Sequence, residues 1–495
     1  MASRRYQSID LVKAADDEYA APDEGFESVR ETRTRIPLRL RLARKLNNAV
    51  FWGALLTIMV FAVPYGSVEA WWEASFECTA YLLTGLWIIE GSISGIWFGP
   101  GRRSASRLAL PLLAIVAFAF LQSWAGTGFP AGADGKAWDL FSADPYATLQ
   151  FSYKLLALIL TGALLVSHTT TPRRLRLLLV VIVGIGIISA FFGILRQTVQ
   201  RDDGFILFYL RPGEGFAQFI NRNHFAFLME MTLGLVIGLL VGGGMHHERL
   251  LVYFAAAAPL WSALVLSNSR GGICSLLAQV LFLALVSGVN RTAPAGSKQS
   301  PNMLDWLGRA FRSLAVRGAL IVVLIAATGA GILWLGGDPL AGRLETLPGE
   351  IKAQGQGVRR IEVWSATWEL IKAHPVLGSG FSAYGMAINQ YHRSSGELIP
   401  RDAHNDYLEL LASGGLTGLG LAAWFIVVLI QRARQKLRTG DRLSRAACLG
   451  ALIGLFGVAF HNLVDFGLHI TINALICISL VAIIAIEDGF ENQIN

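Results

Sequence analysis

Leu177 to Thr198 reads LLLVVIVGIGIISAFFGILRQT, and Pro172 to Arg176 just before it read PRRLR. No charge interrupts the run from Leu177 to Leu195. About 20 apolar residues in a helix cross the hydrocarbon layer of a bilayer. A helix that is apolar all round has no face to offer to water. The segment is therefore a membrane span with a basic flank at one end. Working outward, the same reading recurs at residues 48–65, 76–98, 108–126, 149–168, 219–243, 251–267, 272–289, 318–336, 411–430, 446–464 and 470–487. The fold class expected is an all-α polytopic membrane protein of about 12 transmembrane helices.

Composition agrees. Of 495 residues, 53% are hydrophobic and 16% charged, against roughly 25% charged in soluble chains. The net charge of +7 sits in short loops between apolar runs, which argues for membrane orientation and against a nucleic-acid partner. Most of the 42 Lys and Arg fall on one side, in the N-terminal arm, Arg102–Arg107, Arg173–Arg176, Arg291–Arg317 and Arg432–Arg445, if the N-terminus is cytoplasmic. The positive-inside rule then places both termini in the cytoplasm. No cleavable signal peptide is expected, since the first apolar run begins near residue 48. Residues 1–47 form a cytoplasmic arm, acidic and disordered at first. From Arg33 to Lys45 the arm is basic and suited to anionic membrane lipid. Residues 48–336 hold nine spans, 337–410 a large periplasmic loop, 411–487 three more spans and 488–495 a tail. Cys78, Cys274, Cys448 and Cys477 read as small packing residues.

Within the large loop, Val358, Ile361, Trp364, Trp368 and Ile371 recur at helical spacing, and His374-Pro375 ends the pattern. An amphipathic helix with its tryptophans on the membrane surface is expected there.

Candidate chemistry gathers at the outer helix ends. Lys154, Arg196, Arg211, Arg222 and Arg270 fall there, either snorkelling or converging on an anion. Arginine suits phosphate because its planar fork donates in pairs. Arg270 lies in a Ser267-Asn268-Ser269-Arg270-Gly271-Gly272 turn at a helix start, where backbone N–H groups favour anions. Asn221, Arg222, Asn223 and His224 open another helix, as caps or as ligands for sugar or phosphate. Asp402 to Glu409 reads DAHNDYLE and closes the large loop; His404 is the candidate general base, beside Asn405, Asp406 and Tyr407. His461, Asn462, Asp465 and His469 fit a hydrogen-bonded turn better than a metal site. Glu90 and Glu230 are intramembrane carboxylates, read as links between helices. Gly415, Gly418 and Gly420 read as close helix packing. The outer face offers no evident carboxylate pair, so no metal or other cofactor is expected.

These stretches resemble the O-antigen ligase and O-antigen polymerase superfamily of bacterial membrane glycosyltransferases. The resemblance rests on Phe219–Ala226 (FINRNHFA), Ser269–Gly272 (SRGG), Arg360–Gly380 (RIEVWSATWELIKAHPVLGSG), Ala403–Gly415 (AHNDYLELLASGG) and His461–Ile470 (HNLVDFGLHI). It spans about residues 190–470 and implies a C-type glycosyltransferase fold in the bacterial inner membrane. It also implies a periplasmic site and an undecaprenyl-diphosphate-linked glycan donor. The acceptor implied is lipid A–core for a ligase, or a growing glycan for a polymerase. The family's functional histidine and arginines carry over to His404, to Arg270, and to Arg211 or Arg222. Arg211, Arg222, Asn221, Asn223, His224, Asn405, Asp406, Tyr407 and Lys154 are the candidate substrate contacts. The alternative from another class is a lipid-glycan flippase or transporter, which twelve helices and buried carboxylates would suit but a long folded loop would not.

Overall fold

The computed structural model describes residues 37–63, 65–95, 102–125, 142–200, 215–242, 250–289, 360–392, 400–438 and 441–487. Among these the chain is helical, with no strand. In order the helices are α1 Leu38–Val60, α2 Ala70–Ser94, α3 Arg102–Ala125, α4 Pro145–His168, α5 Pro172–Val199, α6 Arg222–Val241, α7 Leu250–Leu266 and α8 Arg270–Val289. After these come α9 Arg360–Ala373, the single turn α10 Tyr384–Ala387, α11 Asp406–Lys436, α12 Arg442–His461 and α13 Thr471–Ala485. Eleven of the twelve expected spans coincide with one of these helices; the segment 318–336 and the loop portion 337–359 lie outside the described residues. Six helices, α3, α4, α5, α6, α11 and α12, are long and apolar enough to cross a membrane; α7, α8 and α13 are shorter apolar helices.

Local chemistry sets the helix starts. Asp144, Thr171, Asn221, Asn405 and Asp441 each accept a backbone N–H from the first turn of the helix that follows. Pro145 and Pro172 occupy first-turn positions where no N–H is missed.

The centre of the bundle is α6, buried on every side from His224 to Val236. It crosses α12 almost backbone to backbone. A Cβ on Gly238 would lie 2.1 Å from Gly450 Cα, and one on Gly234 would lie 2.7 Å from Gly454 Cα. Close approach is also found at two of the three glycines expected to pack closely: Gly415 lies against the backbone of Val376 and Gly378, and Gly418 against the Phe381 ring. Gly415 has φ +61° and breaks α11 in two, while nothing lies within 4 Å of a Cβ built on Gly420. The chain after α9 fills the break. Leu416 and Thr417 donate to the carbonyls of Pro375 and Val376 (2.9 and 3.1 Å), and Ser379 and Gly380 donate to Ala412 and Ser413 (2.9 and 3.0 Å). Gln122 of α3 donates to Leu377 O (2.7 Å). Irregular backbone at membrane depth is tolerated only when its polar groups are satisfied in this way.

Helix α9 departs from expectation in its rotation. Its buried face is Val363, Ala366, Thr367, Leu370 and Ile371, whereas Trp368 is exposed and Trp364 half-buried. The face packs into a small core with Tyr384, Ala387, Ile388, Ala403 and Ala412, so the helix is fastened to the protein's own loop.

Two sets of polar contacts mark the two ends of the bundle. At one end Glu90 accepts from Asn47 and pairs with His168 (both 2.9 Å), while Arg174 donates to Asn47 and Asn48 (2.7 and 2.6 Å). Lys436 donates to the carbonyls of Ile483 and Ile486 at the end of α13 (2.7 and 2.6 Å). At the other end lie the starts of α6, α8 and α11 and the turn after α12.

Candidate active site

The turn after α12 is the hub. Phe466 stands among three imidazoles, with ring centroids 4.9 Å from His224, 5.0 Å from His404 and 5.6 Å from His469. Asp465 beside it is buried. Its carboxylate accepts from Asn223 Nδ2 (2.5 Å) and from the N–H of Phe466 (3.0 Å). His404 Nδ1 approaches the same carboxylate to 3.7 Å, just beyond hydrogen-bond length, and has no other hydrogen-bond partner among the described residues. Burial alone would raise the Asp465 carboxyl. The imidazoles of His404 and His224, the Phe466 N–H and the Asn223 amide outweigh it and hold the group at about 2. The arrangement is a carboxylate–histidine pair with the carboxylate locked and the imidazole partly open, its side chain 38% exposed.

His404 sits at φ +51°, in the left-handed region that non-glycine residues rarely adopt. Asn405 next to it caps α11, accepting from the N–H of Tyr407 and Leu408 (3.0 and 3.1 Å). Asp406 N donates to Asn462 O (3.0 Å), and the Tyr407 hydroxyl donates to Ala459 O (2.7 Å), tying the loop end to α12.

A second cluster adjoins the pair. His469 Nδ1 lies 3.3 Å from Asp402, and its Nε2 lies 3.7 Å from Asp406 and 3.6 Å from Glu409. The surrounding protein would by itself lower this imidazole. Glu409, Asp402 and Asp406 override that and push it up to about 10, so the ring is an imidazolium balancing carboxylates. This corrects the expectation that the face holds no carboxylate pair. Ligand atoms of Asp402, Glu409 and His469 lie within 4.8 Å of one another, and these three residues could hold a divalent cation if His469 gave up its proton. The four residues His461, Asn462, Asp465 and His469 do not converge. His461 turns inward, its Nδ1 2.7 Å from buried Glu230, which also accepts from Ser275 (2.7 Å).

The arginines stand at the adjoining helix starts. Arg270 is exposed at the first position of α8, and Ser269 caps that helix by accepting from Gly272 N (3.1 Å). A Cβ at Gly271 would press on His461 Nε2, so a larger residue there would require that buried ring to shift. Arg222 is half-buried at the first position of α6, behind the Asn221 cap. Asn473 donates to His224 O (2.9 Å) and fixes that start against α13. Arg211 lies outside the described residues. Arg222 has a protein partner, and so do two other cations. Lys154 pairs with Glu73 (2.5 Å) and donates to His469 O (2.9 Å); Arg196 is buried, donating to Gln200 (2.6 Å) and Ala217 O (2.9 Å).

The fold therefore brings together His404, Asn405, Asp406, Tyr407, Asn223 and His224, with Arg270 and Arg222 at neighbouring helix starts. It adds Asp465, His469, Asp402 and Glu409, which sequence reasoning leaves out of the site. A signal exists for part of this. Residues 402, 406 and 409 are spaced four and three apart, one face of a helix start. Nothing local connects them to His469.

Residues 254–423 match the family model described as O-antigen ligase. The match includes the SRGG turn, α9 and the DAHNDYLE segment. No curated protein matches the chain.

Proposed function

We propose that this membrane protein, which carries an O-antigen ligase domain at residues 254–423, transfers a glycan from undecaprenyl diphosphate to an acceptor hydroxyl at the periplasmic face of the bacterial inner membrane. The observation that carries the reading is His404 aimed at a locked carboxylate, in the match region and beside two arginine-bearing helix starts. Asp465 holds the Nδ1 side of the ring, which leaves Nε2 for the acceptor. As the acceptor oxygen bonds to the anomeric carbon, its proton passes to His404. The anomeric C–O bond breaks and its electron pair leaves on the diphosphate. Displacement from the opposite face inverts the anomeric centre. Arg270, with Arg222 or Arg211, stabilises the departing charge through paired donors and the N-terminus of α8. On this reading the transfer needs no metal. A polymerase would use the same groups with a growing lipid-linked glycan as acceptor.

The test compares two variants in donor binding and single-turnover transfer. His404→Ala should still bind undecaprenyl diphosphate while turnover falls by roughly 10²–10⁴. Arg270→Ala should lose affinity as well as rate, and Arg270→Lys should recover only part, because a point charge lacks the fork. Wild-type transfer by His404→Ala would remove the histidine from the chemistry.

A further inference from the structure

We infer that Trp364 and Glu409 are positioning residues for His404, holding the carbonyl and the N–H of Ala403 so that the next residue stays in its left-handed conformation against Asp465. The inference rests on the reading of His404 as the acceptor's base.

Ala403 is fully buried, so neither its N–H nor its carbonyl has water as a fallback partner. Its N–H donates to Glu409 Oε2 (2.9 Å), and its carbonyl accepts from the Trp364 indole (3.0 Å). That carbonyl belongs to the peptide that leads into His404. On the far side, Asp406 N is held by Asn462 O, and Asn405 is engaged as the cap of α11. His404 thus lies between backbone groups pinned to three different elements, and its φ of +51° is set by those pins, not by its own preference. Remove one pin and the residue is free to relax toward negative φ, swinging the imidazole away from Asp465.

Both pins are themselves anchored. Glu409 is buried one turn into α11, with its other oxygen 3.6 Å from His469 Nε2. Trp364 is carried by α9, which Thr367 ties down through a 2.6 Å hydrogen bond with the Tyr384 hydroxyl. The half-buried tryptophan off the apolar stripe of α9 is explained by this bond to Ala403. Its indole N–H, not its hydrophobic area, fixes its place. Through α9 the large loop reaches across the site and sets the histidine.

The experiment uses full-length protein in detergent or nanodiscs. Trp364→Phe keeps the ring and deletes the donor; Glu409→Ala deletes the acceptor; Glu409→Gln keeps an oxygen for the Ala403 N–H. Misplacement by about 1 Å costs on the order of 10²-fold, so kcat should fall roughly 10- to 100-fold in Trp364→Phe and Glu409→Ala. Donor KM and binding of undecaprenyl diphosphate should stay near wild type, and Glu409→Gln should restore most of the rate. In a His404→Ala background Trp364→Phe should cause no further loss. Wild-type kcat in Trp364→Phe, or an equal loss in the His404→Ala background, overturns the inference for the tryptophan. Failure of Glu409→Gln to rescue overturns it for the glutamate, whose charge would then act on His469. If Glu409→Ala does not fold, Trp364→Phe still decides. Full activity of His404→Ala would instead strike the functional reading, a separate outcome.

Discussion

Replacing Asp465 by Asn removes one charge and little else. The side chain is buried, and an Asn oxygen still accepts the Phe466 N–H, with a rotation of Asn223 needed to satisfy the new amide. On the proposed mechanism, what is lost is the attraction between the carboxylate and the imidazolium that would form on His404 as it takes the acceptor's proton. At 3.7 Å and an effective dielectric of ~20 the pair is worth at most ~4.5 kcal/mol. His404 is more than a third exposed, so solvent screening halves this to about 2 kcal/mol. Each 1.36 kcal/mol is tenfold in rate, giving a fall of about 30-fold in single-turnover transfer. Binding of undecaprenyl diphosphate should be unchanged, because the arginines are untouched. Asp465→Ala should also lower thermal stability by ~1–3 kcal/mol, since it leaves the Phe466 N–H and the Asn223 amide without an acceptor. A turnover for Asp465→Asn within about threefold of wild type, with His404→Ala inactive, would show that the carboxylate shapes the turn and takes no part in proton transfer.

Three further outcomes are expected. Purified enzyme should retain transfer in excess chelator; a loss restored by magnesium or manganese would move Asp402, Glu409 and His469 from ion-pair partners to ligands. In a variant without its native cysteines, Gln390→Cys should react with an impermeant thiol reagent added outside the cell and Arg442→Cys should not; the reverse would invert the proposed orientation. Melting temperature should hold a pH-dependent contribution from His469. Its folded pKa near 10 lies above the ordinary value of 6.5, so the contribution is complete below pH 6.5 and disappears as pH rises through about 10. His469→Gln should flatten that alkaline decline, and an unchanged slope would contradict the imidazolium assignment.

Helix positions are legible in the sequence because apolar runs of membrane length are hard to misread. Three departures share another cause, which is contact with chain far away in sequence. Glycines in an apolar span favour close approach, so Gly415 reads as packing. Its φ of +61° becomes intelligible only once the chain from Pro375 to Gly380 is seen to fill the break. The stripe of α9 falls one residue out when Trp364 and Trp368 count as apolar surface, because one spends its N–H on Ala403 and the other is exposed. Lys154 and Arg196 look like anion ligands because their partners, Glu73 and Ala217, lie 81 and 21 residues away with no periodic signal. The carboxylates at 402, 406 and 409 are within reach of sequence reasoning; their partner His469, across a membrane hairpin, is not.

The charge layout bears on how a donor would enter. Asp402 and Asp465 place negative charge on the α11 side of the site, beside the His469 imidazolium, while burial raises the Asp406 carboxyl to about 7 and raises that of Glu409 as well. A diphosphate would be repelled there and attracted to Arg270 and Arg222 at the starts of α8 and α6. His404 lies on the carboxylate side. Opposed fields of this kind would fix the proposed donor's direction before any sugar is recognised. On the proposed reading the diphosphate would be held at the arginines, with the anomeric carbon pointing toward the imidazole. They also favour the forward step. Bond breaking moves negative charge toward the arginines and leaves positive charge on His404, beside Asp465. On the proposed mechanism both shifts run down the field of the site, so the residues that would orient the donor would also stabilise the charge separation of transfer.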